Sequence, residues 1–129
     1  MIEELMKKPC WIIDILPERV PENSPGQFFR IEGWFLKDPA LRKKQADFLL
    51  RLNCYYDLTV VDDEQEIKNP KPEELCARIG QEYLNILIGE GLITVDCTDS
   101  YMTLYSADEK LLELAQRLAT AGGLFVWKG

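Results

Sequence analysis

A chain of 129 residues that is 47% hydrophobic and 10% aromatic has the length and composition of one globular domain, not of a disordered segment. Its formal net charge of −7 is spread along the chain without a basic arm, so no nucleic-acid partner is expected, and a basic partner or none suits it better. With no histidine anywhere, Ser–His and Cys–His nucleophiles are excluded, and so are histidine metal sites.

The opening residues, MIEELMKKPCWIIDIL, put Glu3 and Glu4 ahead of the apolar run and do not read as a secretory signal. No apolar run approaches the roughly 20 residues of a membrane span, so the expectation is a cytoplasmic protein without membrane association. Residues 10–16, CWIIDIL, read as a central strand, apolar on both faces apart from Asp14. Three prolines make residues 17–26 a loop. Residues 27–37 fit either a helix or an irregular aromatic strand. We read them as helix, with Gly33 weakening both assignments. Asp38 followed by Pro39 looks like an N-cap with proline in the first turn, opening a helix over 39–52 with Leu41, Phe48, Leu49 and Leu52 on one face.

Residues 54–62, CYYDLTVVD, alternate as a half-buried strand, and DEQEIKNPKP after them reads as a polar connection. Pro72, the acids that follow it and the glycines at 89 and 91 suggest a helix over about 73–88. LITVDCTDSYMTLYS reads as a hairpin. With Asp99-Ser100 at its centre, Cys97 faces Met102, Val95 faces Leu104 and Ile93 faces Ser106 on an apolar side. Asp96 faces Thr103 and Thr94 faces Tyr105 on a wetter side. Ser106 and Glu109 fit a capping box for a helix running to Gly122-Gly123, and LFVWK closes the chain as a strand. The order β-α-β-α-β-β-α-β implies an α+β domain, residues 1–129, with a mixed sheet of about five strands and a ferredoxin-like β-α-β half at its C-terminal end.

The chemistry-bearing residues are few. Cys10, Cys54, Cys76 and Cys97 stand singly among apolar neighbours and are expected to be buried and reduced. Arg42-Lys43-Lys44 is expected to be a solvated helix face. Trp11, Trp34 and Trp127 are expected in or at the edge of the core. The aromatic cluster Phe28, Phe29, Trp34, Phe35, Tyr55 and Tyr56 exceeds what one strand needs, and would mark an interface where exposed.

Three acids, Asp14, Asp57 and Asp96, fall in strands, Asp14 the most apolar in its surroundings. No phosphate-binding loop, dinucleotide fingerprint or EF-hand is present, and no cofactor or metal is expected. The expectation is a non-enzymatic module that binds a protein, or a second copy of itself, through Asp57, Thr59, Thr94, Asp96, Tyr101, Thr103 and Tyr105 on the wetter sheet face. A small acidic inhibitor of the immunity or antitoxin type is one concrete version. The alternative is a small-ligand sensor with a pocket beside Asp14, and the third reading is an enzyme built on carboxylates.

Overall fold

The computed structural model describes residues 2–129 and lays every strand antiparallel to its neighbours in one seven-stranded sheet, not in a mixed sheet of five. In chain order the elements are α1 (Ile2–Leu5), β1 (Cys10–Asp14), α2 (Phe28–Lys37), α3 (Pro39–Asn53), β2 (Leu58–Val61), β3 (Glu66–Lys68), α4 (Pro72–Arg78), β4 (Leu84–Ile88), β5 (Gly91–Val95), β6 (Met102–Tyr105), α5 (Glu109–Ala121) and β7 (Phe125–Lys128). The strands lie in the order β3-β2-β4-β5-β6-β1-β7, so β1 is interior, as its apolar run requires. The crossover β6–α5–β7 straddles β1. It is a split β-α-β, and β3–α4–β4 straddles β2 in the same way, but β5 separates the two units instead of their interleaving as in a ferredoxin-like fold.

Helices α3, α4 and α5 cover one face of the sheet. Ala46, Phe48, Leu49 and Leu52 of α3, Leu75 and Ile79 at α4, and Leu111, Ala115 and Ala119 of α5 pack on Ile13, Leu58, Val60, Leu84, Ile86, Ile88, Ile93, Val95, Met102 and Leu104. The i, i+3, i+4 spacing in the helices and the period of two in the strands deliver these side chains to a single layer. Asp38 caps α3 as expected, its Oδ1 accepting from the Ala40 N–H at 3.0 Å with Pro39 in the first turn.

The span 73–88 departs most from the sequence reading. Leu75 and Ile79 obey a helical period, but Leu84, Ile86 and Ile88 obey a period of two, and Gly80 at φ +85° ends the helix between them. The 89–91 Gly-Glu-Gly is then a hairpin turn into β5 and not a helix terminus. Gly91 is required there by close approach, because a Cβ would stand 2.7 Å from the Tyr105 carbonyl oxygen on the neighbouring strand.

Residues 54–57 are turn rather than strand, and the polar connection after β2 conceals β3. Asp62 Oδ1 accepts from the Glu64 and Gln65 N–H groups and so closes that hairpin. Asn69, in the left-handed region at φ +48°, ties off the other end. Its side chain accepts from the Leu58 N–H and donates to Asp57.

In the 92–106 hairpin Val95 pairs with Met102, Thr94 with Thr103, Ile93 with Leu104 and Leu92 with Tyr105, two residues away from the expected register and around a longer loop. A slip of two leaves each side chain on its expected face, since the strand period is two, so alternation determines the face and not the partner. The α5 cap is Asp108, whose Oδ1 accepts from the Lys110 and Leu111 N–H groups. Ser106 Oγ accepts from the Asp108 N–H one step earlier, so the Ser106–Glu109 box does not form.

Candidate functional site

The sheet face turned away from α3 and α5 is only partly covered. Strand register places Thr59, Leu87, Leu92, Tyr105 and Cys10 in one row across it, and Val61, Asn85, Thr94, Thr103, Ile12 and Trp127 in the next. Helix α1 lies against β5, where Leu92 is fully buried. Thr94 is buried as well, and Thr103, Tyr105 and Thr59 are half-buried. Four of the residues picked from sequence, Thr59, Thr94, Thr103 and Tyr105, therefore do share a face, interleaved with apolar Leu87, Leu92, Val61 and Ile12. Tyr105 has its hydroxyl pushed above the usual tyrosine range by burial first, with Cys10 and Tyr83 adding to it.

The other three residues lie at opposite ends of the sheet. Asp57 precedes β2, level with the β4–β5 turn. It is exposed, and the amide of Asn69 and then Lys68 hold its carboxyl below the usual range. Asp96 and Tyr101 flank the β5–β6 loop at the far end, level with Asp14 at the close of β1. The three strand-region acids do not converge.

At that far end a cleft of about 200 Å³ opens on the less covered face, lined by Ile12, Asp14, Leu16, Arg19, Val20, Phe28, Tyr101 and Trp127. Its walls come from β1, the start of α2, β7 and the 15–27 loop, which is pinned by a hydrogen bond from Trp127 Nε1 to the Leu16 carbonyl at 3.1 Å. Asp14 is 6% exposed, and one of its oxygens accepts from the Ile15 N–H at 2.7 Å. Burial pushes its carboxyl above the usual range. Backbone N–H groups of Ile15 and Leu16 oppose that rise, and the charge of Glu32 adds to it. Tyr101 is raised by burial and then by Asp99, Glu32 and Asp96, and Asp99 is raised by burial, Asp96 and Glu32. Four acids thus crowd one end of the sheet. Arg19, whose guanidinium stands 5.7 Å from the centroid of the Trp127 ring, is the cation at the cleft.

Arg42 is the other cation near these acids. It departs from the solvated face expected of Arg42-Lys43-Lys44: its Nη2 donates to the Cys97 carbonyl at 2.9 Å and its Nη1 to Gln45 Oε1 at 2.8 Å, while Lys43 and Lys44 stay in water. Burial lowers the Arg42 pKa, and the charges of Cys97, Asp96 and Asp99 work against that fall. Ser100 Oγ donates to Glu32 Oε2 at 3.1 Å and ties the loop to α2.

The second feature is α2 itself. No residue of it is buried. Its inner side, Phe28, Glu32, Phe35 and Leu36, is half-buried, while Phe29 is 85% exposed, Trp34 62% and Ile31 44%. Trp34 is therefore not core. The cysteines depart from expectation too: Cys54 and Cys76 are exposed, Cys10 and Cys97 half-buried, and all four are free thiols. The sequence reading missed Glu32, Asp99, Arg19 and Arg42, whose only local signal was charge. It did flag the aromatic excess around Phe29 and Trp34.

Among the described residues, no three His, Cys, Asp or Glu side chains converge as a metal site, and no helix is long and apolar enough to cross a membrane. Comparison with protein-family models, with curated proteins and with solved structures finds no significant match to this chain.

Proposed function

We propose that the protein is a non-enzymatic binding module that associates with a second copy of itself through the outer face of α2. The observation that carries this reading is the exposure of Phe29 and Trp34 on a helix with no buried residue. Burying a side chain of this size stabilises by roughly 1.5–3 kcal/mol, so a ridge of them left in water favours association. Arg30 and Lys37 stand between Phe29 and Trp34 around the outer side of the helix, and its one acid, Glu32, is engaged by Ser100. On a chain of net charge −7, an acid-poor patch is where two copies meet with least repulsion.

A basic protein partner is the second reading, favoured by the overall charge. Thr59, Thr103 and Tyr105 on the partly open sheet face would then supply the contact.

Light scattering coupled to size exclusion, run over a range of protein concentrations, tests the first reading. A concentration-dependent dimer that the F29S/W34S double variant abolishes is the expected result. A wild-type chain that stays monomeric at every concentration overturns self-association and leaves the basic-partner reading to a salt-dependent binding assay.

A further inference from the structure

We propose that the cleft between Asp14 and Trp127 is a binding site for a small organic cation, a primary or quaternary ammonium, whose charge sits between the Trp127 ring and the Asp14 carboxyl and displaces the Arg19 guanidinium. This reading is independent of the α2 ridge, since neither Phe29 nor Trp34 lines the cleft.

Three observations carry it. The cleft combines aromatic walls, Phe28, Tyr101 and Trp127, with a carboxyl that is almost wholly buried, and rings together with one acid are the chemistry that holds alkylammonium groups. Among the described residues the acids at this end form no ion pair: neither Asp14, Glu32, Asp96 nor Asp99 has a cationic group within ion-pair distance, and the nearby Arg42 spends its donors on the Cys97 carbonyl and Gln45. The acids are not gathered as a metal site, so an inorganic ion lacks its ligand set, whereas a soft organic cation uses the rings and needs only one carboxylate.

The third observation is Arg19. It is an exposed residue on the 15–27 loop, and it lays its guanidinium over the Trp127 ring without reaching any carboxylate. The ring therefore already accepts a cation, supplied by a side chain that can swing into solvent. A cleft of about 200 Å³ falls below the size of ordinary ligand pockets, roughly 300–1,000 Å³, so it suits a small ammonium head and not a nucleotide. Ionisation of Asp14, which burial disfavours, becomes easier with a cation beside it, so binding strengthens as pH rises out of the carboxylate range. Tyr101, just before β6, and Arg19, on the loop, line the same cleft, and Glu32 on α2 lies outside it but acts on Asp14 and Tyr101 through its charge.

Titration with tetramethylammonium chloride and with butylammonium chloride tests the site, followed by the Trp127 indole N–H in proton–nitrogen NMR spectra. Sodium chloride at equal ionic strength and the uncharged alcohol 3,3-dimethylbutanol are the controls. Saturable shifts with an ammonium and not with the alcohol are expected. R19A should tighten the affinity several-fold by removing the competing cation, and D14N should weaken it roughly tenfold or more. Because Arg19 is exposed, R19A keeps the test valid even if D14N folds poorly. Absence of saturable shifts with both ammonium salts, equal response to the alcohol, or unchanged affinity in R19A overturns the proposal.

Discussion

Gly80 and Arg42 show how a single backbone position can hold a charged side chain in place. At Gly80 the backbone sits at φ +85°, and an added Cβ would lie 2.8 Å from Arg42 Cγ and Nε. The guanidinium cannot swing aside freely, because its two ends are committed to the Cys97 carbonyl and to Gln45. G80A therefore combines left-handed strain with a clash, and should cost about 1–3 kcal/mol in chemical denaturation. Part of that cost runs through Arg42, so G80A in an R42A background should cost measurably less. Strict additivity of the two substitutions would show that the cost is backbone strain alone. Arg42 appears in the sequence as the first of three basic residues, with nothing to separate it from Lys43 and Lys44. The distinction comes from the Cys97 carbonyl, 55 positions away, reaching it across the fold.

At the scale of elements, local chemistry was legible where it did not depend on partners. The Asp38-Pro39 start of α3, the helical reading of 27–37 and the glycine stop after α5 all rest on backbone groups within a few residues. Where two local readings competed, tertiary pairing chose. Val60, Ile86 and Ile93 stack across neighbouring strands, and that pairing turns 84–88 into strand despite a helical-looking start at Pro72. The α5 cap gives a sharp test of the same point. D108A should destabilise by about 0.5–2 kcal/mol, as loss of an N-cap acceptor does, whereas E109A should cost no more than a few tenths from the helix dipole. A larger loss from E109A in thermal or denaturant melts would restore the Ser106–Glu109 capping box.

For the molecule as a whole, the acids split into two groups with opposite pH signatures. Asp57 and Asp62 are exposed and held below the usual range, Asp57 first by Asn69 and Asp62 first by the Glu64 and Gln65 N–H groups. The stability they add is present above the unfolded value and is lost as pH falls through the folded one. Asp14 and Asp99 are raised, chiefly by burial. The folded state then binds more protons than the unfolded state, so stability falls as pH climbs from the ordinary carboxylate range through the raised value. D14N should remove part of that fall. Its stability relative to wild type should improve as pH rises from the ordinary carboxylate range, about pH 4, through the raised value and level off above it, measured by urea denaturation at each pH. A difference that stays flat over that interval would mean that Asp14 is not raised by its burial.

Within each element whose type is legible, the sequence by itself determined which side chains share a face, because helix and strand periods are properties of the backbone alone. It also determined that the chain carries an acidic surplus, no histidine chemistry and more aromatic area than its strands require. Strand number, strand order and hairpin register were decided by tertiary structure, since antiparallel pairing trades backbone hydrogen bonds between segments that no local signal connects. The same holds for the candidate site. Asp14 stands out in the sequence as one acid among isoleucines; Arg19 and Phe28 follow it in the next loop and helix, but Tyr101 and Trp127 meet it only after the chain has crossed the sheet and come back. The fold places them together because β7 pairs with β1 and the 15–27 loop is tied down by Trp127.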